Sequence, residues 1–159
     1  MSLKSLVVTS LEVPDDQHAV APVKSRINPP PRILLIEDDT AIRQLCLELL
    51  MGSGYQVDTA EDGEAGLKVL HAASHDPDSY DLLITDNNMP KLSGVGLIKK
   101  LRSERTPLPP VILASGTIPP NIEQLRLAAI LLKPFDAGQL VQTVREVLRT
   151  ANSDPEYVS

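Results

Sequence analysis

Four short apolar runs, each ending on a polar or charged residue, constrain this chain more than anything else in it. They are RILLI (Arg32–Ile36) before Glu37, LLIT (Leu82–Thr85) before Asp86, VILA (Val111–Ala114) before Ser115 and AILL (Ala129–Leu132) before Lys133. Runs of this length without polar alternation suit strands buried on both faces, as in parallel sheets. Parallel strands need crossover connections, and the segments between the runs carry helical spacing. The pattern predicts an α/β fold with a doubly wound, five-stranded parallel sheet, for which 2-1-3-4-5, the flavodoxin-like order, is the expected arrangement.

Taken in order, residues 1–31 read as a Pro-rich leader ending in Pro29–Pro31, a stretch that favours an extended spacer. The leader is expected to be flexible, the alternative being that LVVTSLEV docks on a sheet edge. Residues 32–150 are the expected domain, followed by a polar, frayed tail over 151–159. Thr40 opens a helix whose apolar stripe is Ile42, Leu45, Cys46, Leu49 and Leu50, ended by Gly52 and Gly54. Tyr55–Ala60 is the second strand, with Tyr55, Val57 and Thr59 alternating against polar residues. A second helix runs from about Glu64 to Ala73. Ser93 caps a third that carries Leu97, Ile98 and Leu101. Pro119 and Pro120 start a short fourth helix reaching about Leu127, and a final helix spans about Ala137–Arg149. Cys46 belongs to the core, and His71 and His75 are solvated surface rather than metal ligands.

Composition removes several function classes. A formal net charge of −6 disfavours direct nucleic-acid binding. No apolar run approaches the roughly 20 residues of a membrane span. There is no apolar N-terminal region of signal-peptide type, and the one cysteine forms no internal disulfide, so a cytoplasmic location is expected. Neither G-x-G-x-x-G nor G-x-x-x-x-G-K-[ST] occurs, leaving dinucleotide and P-loop readings without support.

In the predicted strand order, Glu37, Asp38, Asp86, Ser115 and Lys133 converge on one edge of the sheet, at the switch point where open α/β sheets bind ligands. The chemistry asks for each type. Asp86 attacks phosphorus and becomes an acyl phosphate. Three carboxylates together make a hard-cation site, with Asp38 and Asp86 as direct ligands of Mg²⁺ and Glu37 acting through water. Lys133 and the Ser115 hydroxyl contact phosphoryl oxygens. Asp39 reads as a helix N-cap or a supporting acid.

The motifs ILLIEDD, LLITDNNMP, VILASG and LLKPF resemble the receiver domain of two-component response regulators, over roughly residues 32–150. The resemblance implies phosphorylation of Asp86 by a sensor histidine kinase or histidine phosphotransfer protein, with Mg²⁺ or Mn²⁺ as cofactor. It implies a metal ligand in the backbone carbonyl of Asn88, a switch hydroxyl in Ser115 and a cis peptide before Pro134. It also implies tuning of the phosphate lifetime by Asn88 and Thr117. The resemblance makes the chain a signalling domain rather than an enzyme, acting on a downstream protein of unknown identity, either as a stand-alone regulator or as part of a hybrid kinase or larger regulator. Two departures stand out. Ile130 occupies the position where family members often carry Tyr or Phe, and the stretch from Ser115 to Lys133 is short. They support the alternative of a pseudo-receiver that works without phosphate. A phosphohydrolase of similar fold usually needs a second aspartate two residues after the nucleophile, where Asn88 stands.

Overall fold

The computed structural model describes residues 28–76 and 78–153. LVVTSLEV and His18 lie outside the described residues. Five strands, β1 (Arg32–Ile36), β2 (Gln56–Ala60), β3 (Leu82–Asp86), β4 (Val111–Ser115) and β5 (Ala129–Leu132), form one parallel sheet. Its order is β2-β1-β3-β4-β5. Helices α1 (Thr40–Gly52), α2 (Gly63–Ala73) and α3 (Gly94–Ser103) make the first three crossovers, a 3-10 turn at Ile122–Leu125 lies in the fourth, and α4 (Ala137–Ser153) follows β5.

The apolar runs follow from two-sided burial. Every residue of β3 and β4 is buried. Ile33, Leu35, Leu82, Ile84 and Ile112 pack with Cys46 and Leu50 of α1 and Leu140 and Val144 of α4. Leu34, Ile36, Leu83, Val111 and Leu113 pack with Leu70 of α2 and Leu97, Ile98 and Leu101 of α3. Successive strand side chains serve opposite layers, so a single run supplies both cores.

Local chemistry sets the helix starts. Asp39 accepts the Ile42 N–H at 2.9 Å, Asp62 the Ala65 N–H at 2.8 Å and Ser93 the Gly96 N–H at 3.0 Å. Asp136 and Gln139 cap α4 reciprocally, each side chain accepting the other's N–H at 2.8 Å. At the opposite end of the sheet from these caps, the Arg32 guanidinium lies 4.7 Å from the Tyr80 ring centre and bonds Asp58 at 3.0 Å. Burial and the bond to Asp58 push the Tyr80 phenol up to about 12.

The structure corrects four expectations. Ile42 and Leu45 of the predicted inward stripe are 37% and 57% exposed, because α1 rests on the sheet through Cys46 and Leu50. β2 is an edge strand that begins at Gln56, and its Thr59 is exposed. The predicted fourth helix is only the 3-10 turn, bounded by Asn121 at φ 56° and Arg126 at φ 50°, conformations that break helical continuation. Residues 151–153 continue α4 instead of fraying at Ala151. There the Ser153 hydroxyl donates to the Arg149 carbonyl at 3.0 Å, and no Gly or Pro intervenes.

Gly94 opens α3 directly against the end of β3. A Cβ there would overlap the Asp86 carbonyl oxygen and lie 3.0 Å from Leu113 Cδ1. Gly52 has open space around it. Gly94→Ala is expected to destabilise the fold by about 1–3 kcal/mol in urea unfolding, while Gly52→Ala leaves stability unchanged or slightly raised.

Candidate functional site

The carboxyl ends of the four inner and neighbouring strands deliver the polar groups. Asp86 and Ser115 are the last residues of β3 and β4, and both are buried. Glu37 follows β1 and is buried, while Asp38 beside it is exposed. Lys133 follows β5, and its N–H donates to the Ser115 carbonyl at 2.9 Å. The register that pairs Ile36 with Thr85 and Asp86 with Ala114 puts Glu37, Asp86 and Ser115 on successive strands at one level.

Carboxylate oxygens of Glu37, Asp38 and Asp86 lie within 4.8 Å of one another, and they form the only such cluster of potential metal ligands among the described residues. Lys133 Nζ bridges two of them, at 2.9 Å from Asp86 Oδ1 and 3.3 Å from Glu37 Oε2. Glu37 Oε1 accepts the Asp39 N–H at 3.2 Å. Burial pushes the Glu37 carboxyl above the usual range and the Asp86 charge adds to this, against the Asp39 N–H and Lys133. Burial alone would lower Lys133. The hydrogen bond to Asp86 and the charges of Glu37 and Asp86 outweigh it, so the ammonium is held above its ordinary range. Among the described residues no hydrogen bond or ion pair engages the Asp38 carboxylate. The donor set is all hard oxygen, two acids buried and one exposed, which fits a hard divalent cation such as Mg²⁺ rather than a soft metal.

The remaining predicted positions surround this cluster at different depths. Ser115 Oγ accepts the Thr117 N–H at 3.4 Å and is not bonded to Asp86 or Lys133. Asn88 is exposed on the turn after Asp86, and Thr117 is exposed after β4. The Lys133–Pro134 peptide is cis. Ile130 is half-buried and pairs in register with Leu113. His71, on α2, bonds Glu104 at 2.7 Å, away from the cluster.

Sequence reasoning passed over two residues. Asn87 accepts the Val95 N–H on its side chain at 3.1 Å and the Gly94 N–H on its carbonyl at 3.1 Å, so it ties the start of α3 to the end of β3. Arg43 Nη1 donates to the Glu37 carbonyl at 2.7 Å and the Asp38 carbonyl at 3.4 Å. The available signals were an amide side chain just before a helix cap and a basic residue one turn inside a helix that follows an acidic turn.

Comparison with known proteins matches this geometry. The sequence model of the response regulator receiver domain matches residues 33–145. The transcriptional regulatory protein CpxR of Escherichia coli strain K12 is 38% identical over 125 residues, covering 76% of this chain and 50% of that protein. The chain thus spans about half the length of that curated relative. The chemotaxis protein CheY4 of Vibrio cholerae superposes with a TM-score of 0.64 at 28% identity, covering 74% of this chain and 98% of that one. The response regulator TrrA of Thermotoga maritima, solved in complex with Mg²⁺-BeF, gives 0.63 at 29% identity, with 74% and 98% covered. Phosphorylation on aspartate and Mg²⁺ are typical of such domains, which are signalling modules rather than classical enzymes. With the family model matching residues 33–145 and the fold shared with these solved receiver structures, the chain belongs to the response regulator receiver domain family of two-component systems.

Proposed function

We propose that the domain accepts a phosphoryl group on Asp86 from the phosphohistidine of a sensor kinase or phosphotransfer protein. The observation that carries this reading is a buried carboxylate held at 2.9 Å by Lys133 and crowded by two further acids. An Asp86 oxygen forms the new P–O bond while the P–N bond to the donor imidazole breaks, leaving the electron pair on nitrogen. Lys133 holds the acceptor oriented and meets the negative charge of the incoming group. Asp38, Asp86 and the Asn88 carbonyl are the residues that would hold Mg²⁺ or Mn²⁺ directly, with Glu37 through water. When bound, the ion neutralises charge on the phosphoryl oxygens. Ser115 would follow the phosphoryl group as the switch hydroxyl, and Asn88 and Thr117 would tune the lifetime of the phosphate.

A donor protein has to cover the surface beside Asp86. Ile42 and Leu45, with Leu49, line an apolar groove of about 430 Å³ against Lys133–Ala137, adjoining the acidic cluster. An exposed apolar strip next to a reactive group is what a docking helix buries. The downstream partner is a protein. Because CpxR is a transcriptional regulatory protein twice the length matched here, any nucleic-acid contact would belong to other domains of a longer chain. A phosphate-independent pseudo-receiver is favoured only by Ile130 and the single 3-10 turn after β4.

Incubation with acetyl phosphate and Mg²⁺ is expected to give a hydroxylamine-labile label that falls to background in Asp86→Asn. Undiminished labelling of that variant overturns the assignment, and an unlabelled wild-type chain favours the pseudo-receiver. In EDTA, Asp38→Asn is expected to raise stability by about 1 kcal/mol, since it removes one of three crowded charges at a partly solvated site. Saturating Mg²⁺ should then raise the Tm of the wild type and leave that of the variant unmoved. Leu45→Asp should slow transfer from a phosphohistidine protein that labels the wild type, by about tenfold, with the acetyl phosphate rate unchanged.

A further inference from the structure

Three acidic residues in succession, Glu37, Asp38 and Asp39, make the turn from β1 into α1. Asp39 turns away from the cluster to cap the helix through the Ile42 N–H. Glu37 and Asp38 turn toward Asp86. Adjacent carboxylates repel, and an unrestrained turn would let them separate into solvent. Something has to hold the backbone that aims them.

Arg43 is placed to do so. It sits one turn into α1, its own N–H donating to the Asp39 carbonyl at 2.8 Å. Helical side chains lean back toward the N-terminus, which carries the guanidinium over the turn. There Nη1 donates to the carbonyls of Glu37 at 2.7 Å and Asp38 at 3.4 Å. Both acceptors are backbone oxygens. The guanidinium therefore fixes the direction of the two side chains without occupying a carboxylate oxygen that a cation needs. Lys133 differs in this respect, since it binds the Asp86 and Glu37 carboxylates themselves.

Resting on the reading of Asp86 as a metal-assisted phosphoryl acceptor, we propose that Arg43 is a positioning residue for the cation site, orienting Glu37 and Asp38 through their backbone carbonyls. The two physical effects of the arginine oppose each other. Its positive charge near the cluster repels a divalent cation, so a residue acting through charge alone would weaken Mg²⁺ binding, and its removal would tighten it. A positioning role has the opposite sign. Supporting groups that orient ligands typically cost tenfold or more in metal affinity when lost.

The test is a titration of the full 159-residue chain with Mg²⁺ alone, followed by amide NMR, for wild type, Arg43→Gln and Arg43→Lys. Arg43→Gln removes the charge and keeps an amide donor of shorter reach, whereas Arg43→Lys keeps the charge without the fork. Both variants are expected to bind Mg²⁺ about tenfold more weakly. The acetyl phosphate reaction should show the same shift in its Mg²⁺ midpoint, with the rate at saturating Mg²⁺ near that of the wild type. A merely structural arginine would lower the Tm and leave that midpoint in place. Unchanged or tighter binding in Arg43→Gln overturns the inference, as does a saturated rate that falls with no change in midpoint. If Arg43→Gln does not fold, Arg43→Lys decides alone, and wild-type affinity in it overturns the proposal. A wild-type chain that binds no Mg²⁺ overturns the parent reading and this inference together. A wild type that binds and labels beside Arg43 variants of equal affinity overturns this inference only.

Discussion

Everything at the carboxyl edge of the sheet is arranged around a concentration of like charge. Three carboxylates within 4.8 Å are opposed by one lysine inside the cluster and one arginine behind it. In water such a group would disperse. Here two of the acids are buried on the ends of strands that cannot move apart, because Leu34, Leu83 and Leu113 lock β1, β3 and β4 into one layer. Lys133 lowers the cost by bridging Asp86 and Glu37, yet Asp38 keeps no protein partner among the described residues. The fold therefore holds a standing electrostatic deficit that a divalent cation can meet, and the apolar layers beneath it supply the free energy that keeps the deficit in place.

The two arms of the site are built by different means. Asp86, Ser115 and Lys133 are positioned by strand register, which is rigid and set by the whole sheet. Glu37 and Asp38 sit on a turn, and their placement depends on a few local hydrogen bonds: the Glu37 N–H to the Ala60 carbonyl, the Asp39 N–H to the Glu37 carboxylate, and Arg43 to the turn carbonyls. Helix α1 contributes at both of its surfaces. Its inner side carries Cys46 and Leu50 into the core, and its outer edge presents Ile42 and Leu45 in the groove that Lys133 also lines.

Much of this was legible before any coordinates. A run such as VILA before Ser115 has a strong physical signature, since two-sided burial demands unbroken apolar residues, and it ends where solvent begins. The parallel sheet followed from it, and the convergence of Asp86 with Lys133 followed once the order 2-1-3-4-5 of such sheets was taken. Helical amphipathicity was less informative. Ile42 and Leu45 obey the same spacing as Cys46 and Leu50, and only packing reveals which part of a wide apolar stripe touches the sheet. The region after β4 was legible in its shortness but not in its form. The positive φ of Asn121 and Arg126 is imposed by the path to β5 and has no mark in those residue types. Arg43 left only a weak mark, its place one turn into a helix after an acidic turn, because its bonds go to backbone carbonyls, which every residue has.

The contact between Gly94 and the Asp86 carbonyl reaches beyond stability. It makes helix α3 a hard stop for the end of β3, since nothing larger than hydrogen fits between them. The depth of Asp86 in its pocket is then a boundary condition and not an adjustable quantity on that side. Divergence among chains built this way has to reshape the pocket from the opposite wall, through the β1–α1 turn and the residues that follow β5. Variation in the shape and charge of the pocket would accumulate there while the floor under Asp86 stays constant.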